Sequence, residues 1–317
     1  MNTAEKINKQ LAALLKKADS AVDKIISTHE RELLDNYKAS LKKIKALIAE
    51  IYEKYGDGVQ YSDLVQYNRL TNLENQIAKE IKSLTNQNIK TTSSSFVAIF
   101  EEQFYRVGFA FEQSLELRLG FGLLNPEVAK ASILNPLDRI KWPDRMKDHA
   151  QQYTNQIKSE LTQGLIQGEG YGKISKRITD KTGINAGKII RIVRTEGHRV
   201  QSAARVLSID KSFSAADRLG LKSSRYWIAT IDNRTRDLHG KMDGQEADEN
   251  GEYIFADGVR TKGPGLSGVA EHDINCRCTE GVKIGDFSPQ FRRDNESKQI
   301  IAYAYYEEWR NKKGITL

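Results

Sequence analysis

The chain has 317 residues, of which 39% are hydrophobic and 29% charged, and it contains 5 prolines. This length suggests about two domains, and the composition excludes a disordered chain, a disulfide-stapled miniprotein and a bundle of membrane helices. The 49 Lys and Arg residues outnumber the 42 Asp and Glu residues, and the excess lies in residues 151–225, with 14 basic against 6 acidic side chains. Such a segment favours a polyanionic neighbour such as DNA, or a basic face that acidic surfaces balance elsewhere.

The first residues predict where the protein acts. Glu5 stands where a secretory signal needs basic residues and an apolar stretch, and no run approaches the roughly 20 apolar residues of a membrane span. We therefore expect a protein that folds and acts in the cytoplasm. The two cysteines, Cys276 and Cys278, are too close in sequence to close an unstrained disulfide, which fits a reducing compartment.

Three helical patterns occupy the first part of the chain. Apolar residues recur every three or four positions over residues 7–55, which predicts one long amphipathic helix, or a broken pair, ending at Gly56. A second pattern covers 64–84, and a Thr/Ser patch at 91–95 separates it from a third at 96–111. The third is rich in aromatic residues, which indicates the centre of a helical core.

The central part combines a connection with further helices. Three X-Pro pairs in residues 120–145 predict a connecting region, because the residue before a proline is pushed out of the helical conformation. Residues 144–220 return to helix, with a turn at 168–172 and a helix end at Thr182-Gly183. A basic helix face is a candidate DNA contact, with a solvated face as the alternative. Its residues are Lys188, Arg191, Arg194, Arg199 and Arg205.

The hydrophobic period changes from about 3.6 to 2 after Ser224. Strands are predicted at 226–231, 253–255 and 276–284. The tail at 288–313 predicts a closing helix, with Pro289 in its first turn. The predicted fold class is α+β and predominantly α-helical, with long N-terminal helices, a central helical region, a small β-rich C-terminal module and a closing C-terminal helix.

These elements predict two domains. The first is a helical N-terminal region, residues 1–145. The second covers 146–317 and consists of a helical part at 146–224, a β-rich module at 225–285 and the C-terminal helix at 288–313.

Four residues of the second domain form a candidate metal site. Side chains at i and i+2 of a strand point the same way, so Cys276 and Cys278 can face one partner. With His239 and His272 they supply the ligand types and tetrahedral count of a structural zinc site. A buried, metal-free cysteine pair is the alternative interpretation.

Two contacts are predicted to hold this region together without any substrate. The Asp232 carboxylate follows a strand and is placed to cap the next turn by accepting from the amides near Thr235. Arg236 is predicted to pair with Asp273.

The same region suggests a catalytic alternative, in which His239 is a general base, Asn275 orients it, and Arg234 and Arg236 bind phosphate. The chain lacks the second histidine that a His/Asn metal nuclease carries shortly after the asparagine, and it contains no Walker or dinucleotide motif. We therefore predict no catalytic residues.

Taken in order, the motifs of residues 150–285 resemble the phage Mu F-like minor head proteins, also called head morphogenesis proteins. Residues 1–145 carry none of these motifs. The resemblance rests on Arg194-Thr195-Glu196, on Trp227 followed by Asp232, Arg234, Thr235 and Arg236, on Asp243-Gly244, and on Asn275-Cys276-Arg277-Cys278.

This resemblance implies a minor component of the prohead of a tailed bacteriophage, inside the shell near the portal vertex, that does not form the shell. It implies the portal protein and packaged double-stranded DNA as partners, with the scaffold and major capsid proteins as further partners and no membrane. The protein is then expected in the virion interior, and in the host cytoplasm during assembly. Residues 1–145 would dock onto the portal or prohead.

The resemblance also bears on the metal and on the alternatives. Many members carry Cys-x-x-Cys where this chain has Arg236-x-x-His239, so the family pattern favours a metal more than this sequence does, because an arginine cannot replace a thiolate ligand. In other members the module is fused to toxin domains, including ADP-ribosyltransferases. A DNA-processing or ADP-ribosyltransferase-like enzyme using His239, Glu196 and the arginines is thus one alternative function. A non-specific DNA-binding protein is the other.

Overall fold

A computed structural model describes residues 3–56, 59–116, 118, 124–218, 220–285, 291–294, 297–302 and 308. Long helices dominate the fold, and short antiparallel strands follow them, which confirms the predicted predominantly helical α+β class. The helices are α1 (Thr3–Tyr55), α2 (Tyr61–Val65), α3 (Arg69–Leu115), α4 (Pro126–Ile133), α5 (Trp142–Ile166), α6 (Tyr171–Asp217), α7 (Asp237–Lys241) and α8 (Ala270–Asp273). The strands are β1 (Ser223–Ile228), β2 (Tyr253–Ile254), β3 (Arg260–Thr261), β4 (Thr279–Ile284), β5 (Phe291–Arg293) and β6 (Ile300–Ala302).

The predicted first helix is continuous and ends where the sequence indicates. The apolar stripe of α1 is buried, and Gly56 follows the helix with a positive φ of 79° that suits glycine. Among the described residues, no helix is long and apolar enough to cross a membrane.

Two predicted helix breaks are wrong, and at both places a hydroxyl side chain bonds back to its own helix. In α3 the Thr91 hydroxyl donates to the Asn88 carbonyl at 3.3 Å, and the helix runs unbroken through 91–95. In α6 the Thr182 hydroxyl donates to the Ile178 carbonyl at 2.7 Å. This helix therefore continues past Gly183.

The predicted closing C-terminal helix at 288–313 is wrong for residues 291–293 and 300–302, whereas Glu308 is helical, and residues 288–290, 295–296, 303–307 and 309–313 lie outside the described residues. Of the described residues in 288–313, two segments form the antiparallel pair β5–β6, in which Phe291 faces Ala302. Earlier in the module, β1 and β4 pair in antiparallel register with Tyr226 opposite Gly281. The third strand, β4, begins at Thr279, three residues later than predicted. Cys276 and Cys278 therefore lie just before the strand.

The chain divides into two compact units, and both are discontinuous in sequence. One comprises residues 1–25, 96–139 and 195–317, and the other comprises 26–95 and 140–194. In the first unit, helix residues such as Leu11 and Phe111 share a buried cluster with Ile284 of β4. The functional division at 145/146 stays a prediction, and the units follow a different partition.

Candidate functional site

The motif-bearing part of the first unit is built on a second buried cluster, centred on Trp227 of β1. The Trp227 side chain is fully buried, and its ring meets Tyr253 and Phe255 edge-on at centroid distances of 5.3 and 5.5 Å. Cys276 and Cys278 belong to the same cluster. The cysteines therefore lie against an aromatic core.

Three of the four predicted metal ligands come together. The His239 Nδ1 atom lies 3.6 Å from the Cys276 sulfur and 3.5 Å from the Cys278 sulfur, and all three side chains are buried. Their potential ligand atoms lie within 4.8 Å of one another. His239 is carried by α7, whereas the cysteines precede β4, so two separate segments of the chain build this cluster.

The two thiols differ in acidity. The hydrogen bond from the Cys276 thiol to the Cys278 sulfur raises the pKa of Cys276 and lowers the pKa of Cys278. Burial adds to the rise at Cys276, and the hydrogen bond from His239 adds to the fall at Cys278. Cys278 is therefore the sulfur that carries negative charge more readily.

The fourth predicted ligand, His272, lies beside this cluster rather than in it. Its ring stacks on Phe255 at a centroid distance of 4.2 Å, and its Nε2 atom lies 3.0 Å from the Asp257 carboxylate. The rings of His272 and His239 are stacked at 6.0 Å. Asp257 thus engages Nε2, and His272 is not part of the group of ligand atoms that lie within 4.8 Å of one another.

A pocket of about 20 Å³ opens beside the sulfurs, which is room for about one water molecule or ion. Its lining combines the His239 and cysteine side chains with polar and basic groups. It is formed by Thr230, Arg234, Thr235, Arg236, His239, Asn275, Cys276, Arg277 and Cys278.

Asp232 closes the turn after β1 as predicted, and it has a further partner. Its Oδ1 atom accepts from the Arg234 amide at 3.0 Å and from Arg277 at 2.8 Å. The hydrogen bonds from Arg277 lower the pKa of Asp232 to about 2. Arg277 thereby fixes the Asn-Cys-Arg-Cys segment against the turn.

Arg236 joins the two halves of the motif by a different contact from the predicted one. Its guanidinium donates to the backbone carbonyls of Glu271, His272 and Ile274, the last at 3.3 Å. The predicted partner, Asp273, instead accepts from the amide of Gly268 at 2.9 Å and from the Ser267 hydroxyl at 2.7 Å. A guanidinium carries five N–H donors, so it can satisfy several carbonyl oxygens of one loop at once.

The remaining motif residues also make contacts within the protein. Asp243 accepts from the Ala229 amide at 2.8 Å, and the Gly244 amide donates to the Trp227 carbonyl at 2.9 Å. Asn275 adopts a left-handed conformation with φ 56°, and its amide donates to Thr195. Glu196 is buried and accepts from Arg199 at 2.7 Å.

The predicted basic face is divided by the fold. Arg199 and Arg205 are each only 4% exposed and are hydrogen-bonded to carbonyls of Gly265 and Glu280, so their burial removes them from the predicted DNA contact. Arg194 is exposed and forms a bidentate pair with Glu30. Arg191 is exposed and Lys188 is partly exposed.

Sequence reasoning missed a buried network under β4. Glu280 is fully buried, accepts from the Tyr253 hydroxyl at 3.0 Å and lies 3.6 Å from Arg225. Burial raises the pKa of Glu280, while Arg225 and Arg205 oppose that rise. The sequence offered only a weak indication of this network. Glu280 is an acidic residue at an inward-facing strand position, and β1 carries an arginine, Arg225.

Comparisons with known proteins agree with this motif set. Residues 155–280 match the family of Phage Mu protein F like proteins. The chain is 31% identical over 302 residues to the minor head protein GP7 of Bacillus phage SPP1, covering 93% of this chain and 96% of that protein. It is 29% identical over 310 residues to the NAD(+)–arginine ADP-ribosyltransferase EFV of Enterococcus faecalis, covering 98% of this chain but 61% of that protein. No solved structure matches the chain.

Proposed function

The chain belongs to the Phage Mu protein F like family of phage minor head proteins, and from this membership we propose that it acts in prohead assembly at the portal vertex, in contact with packaged DNA. The observation that carries the proposal is the alignment with the SPP1 minor head protein, which spans nearly the full length of both chains. Its sites of action would be the host cytoplasm during assembly and then the phage head.

Exposed apolar side chains in the N-terminal helices support a docking role for residues 1–145. Around the turn between α2 and α3, Tyr67 is 81% and Val65 48% exposed. Neighbouring exposed apolar side chains are typical of partner surfaces, whereas isolated ones are common on any protein surface. The portal protein is the partner we propose, with scaffold and major capsid proteins as further candidates.

Co-purification with the portal protein tests this role. When the full chain and the portal protein of the same phage are co-expressed, we expect them to elute together in size-exclusion chromatography. The double variant Val65→Ser/Tyr67→Ser should weaken the complex by at least tenfold. Ile184→Ser, at an equally apolar side chain that is 56% exposed, is the matched control. A portal protein that elutes without the chain would contradict the proposal.

The DNA contact rests on Lys188 and Arg191, one helical turn apart on α6. Binding of the chain to double-stranded DNA should weaken as salt rises, because each phosphate contact releases counterions. The variant Lys188→Gln/Arg191→Gln should make the slope of log affinity against log salt shallower by about 2. Neutralising two exposed lysines of α1, with Lys16→Gln/Lys17→Gln, removes the same charge and should leave the slope unchanged. Binding that is independent of salt would exclude the contact.

We further propose that the chain is not an enzyme. The Enterococcus relative extends well beyond the region aligned with this chain, so the alignment by itself does not assign its named activity to these residues. Glu196, an acid in the enzymatic alternative, is engaged by Arg199 in a buried pair. Incubation with labelled NAD⁺ and an arginine substrate should give no transfer, with the Enterococcus protein as positive control. Transfer that Glu196→Gln abolishes in a folded variant would establish the enzymatic alternative.

A further inference from the structure

We propose that His239, Cys276 and Cys278 bind one zinc ion through three protein ligands, with the fourth position open to the adjacent pocket. The donor set supports this choice of metal, because two thiolates and an imidazole suit zinc among the divalent ions common in cells. The predicted four-ligand set is thereby reduced to three, with His272 outside it.

The distances between the ligand atoms match a tetrahedral site. Zinc bonds of about 2.3 Å to sulfur and about 2.0 Å to nitrogen give a tetrahedron whose sulfur–nitrogen edge is about 3.5 Å. The two sulfur–nitrogen distances in the structure are 3.6 and 3.5 Å. Both sulfur–nitrogen distances therefore match the edge length that a shared zinc ion would give.

The pocket accounts for the fourth position. Its volume of about 20 Å³ accommodates one water molecule as the remaining ligand. The guanidinium groups of Arg236 and Arg277 line the same space and offset the charge of two thiolates. Arg236 also donates a hydrogen bond to the His272 carbonyl, and Arg277 lies between the two cysteines in the sequence. The arginines thus hold both sides of the cluster in place.

Zinc content of the full-length protein tests the proposal. The protein is purified under reducing conditions without chelator, incubated with excess Zn²⁺ and freed of unbound metal by gel filtration. We expect about one equivalent of zinc by elemental analysis, and less than about a tenth of an equivalent overturns the proposal. Cobalt(II) substitution should give the absorption of a thiolate-ligated, four-coordinate ion. A spectrum without thiolate-to-cobalt charge transfer also overturns it.

Variants distinguish three ligands from four. Cys276→Ser and Cys278→Ser should each lower zinc affinity at least tenfold. His272→Gln is the matched control, because it removes a neighbouring imidazole that faces Asp257 and should leave the zinc content unchanged. A folded His272→Gln protein that loses its zinc overturns the three-ligand assignment. If the cysteine variants do not fold, the cobalt spectrum of the unchanged protein decides.

Discussion

Asp232 and Arg277 show how one charged pair fixes two distant segments. The pair spans 45 residues of sequence and links the turn after β1 to the segment before β4. The Arg277 side chain is 36% exposed, so solvent screens the pair and limits its contribution to about 1 kcal/mol. Its value lies in holding the cysteine-bearing segment in place.

The pair predicts a pH-dependent stability difference. Because the pKa of Asp232 is lowered to about 2 in the folded protein, its contribution is complete above the ordinary value of 3.8 and is lost as the pH falls towards 2. Asp232→Asn should therefore lower the free energy of unfolding by about 1 kcal/mol at pH 7 and by progressively less below pH 4. Urea unfolding across this range measures the difference.

Two further variants check the cause of that difference. Arg277→Gln should destabilise the protein about as much as Asp232→Asn, and the double variant should cost less than the sum. Arg234→Gln is the control, because that side chain is largely exposed and lies 3.7 Å from the carboxylate. A destabilisation that stays constant from pH 7 to pH 2 would rule out the ion pair as its source.

At the scale of elements, glycine has opposite effects in the sheet and in a helix. In the β1–β4 pair the Tyr226 ring covers Gly281, and a Cβ added there would lie 2.3 Å from the ring. Gly183 lies within α6, where an added Cβ meets nothing within 4 Å. Packing against Tyr226 therefore requires glycine at position 281. At position 183 glycine only lowers the stability of the helix.

This contrast gives a paired prediction. Gly281→Ala should displace the tyrosine ring and lower the free energy of unfolding by about 1–3 kcal/mol. Gly183→Ala should raise it by about 0.5–1 kcal/mol, because alanine favours the helix. Thermal unfolding of both variants measures the two shifts. Equal effects of the same sign would contradict the packing argument.

The helical elements were largely predictable, and the exceptions have physical causes. Apolar periodicity found α1, but it gave no warning that Thr91 and Thr182 would bond back to their own helices. Residues 300–302 were assigned to a helix although they form a strand, because short apolar runs such as Ile300-Ile301 suit a strand as well as a helix. Apolar periodicity alone does not distinguish a continuous helix from an interrupted one, or a short strand from a short helix.

The candidate site was also predictable only in part. The residue types of His239 and the two cysteines were enough to select them, because they lie on segments that the motif brings together. His272 was selected by the same criterion, yet its ring packs on Phe255 and its nitrogen faces Asp257. Side-chain direction in a loop depends on tertiary contacts that the sequence does not display.

At the scale of the whole molecule, the first helix completes a structure built near the other end of the chain. The Asn8 side chain donates to the Ile284 carbonyl at 2.8 Å and accepts from the Ile284 amide at 2.9 Å. Asn8 is buried, so the two hydrogen bonds are shielded from water. The contact binds α1 to the end of β4.

Removing this contact should affect the stability of the first unit. Asn8→Ala leaves two buried backbone groups without their partner and should lower the free energy of unfolding by about 1–3 kcal/mol. Lys9→Ala, at the neighbouring exposed position, should change it by less than about 0.5 kcal/mol. Chemical denaturation compares the two, and identical midpoints would contradict the role given to Asn8.

The separation of 276 residues between Asn8 and Ile284 also sets a delay during synthesis. At a translation rate of about 5–20 residues per second, roughly 14 to 55 s pass between the emergence of the two partners from the ribosome. Throughout that interval the nascent α1 presents its apolar stripe without the strand that later covers part of it. The apolar stripe of α1 is therefore open to aggregation or to chaperone binding during synthesis, before β4 exists to cover part of it.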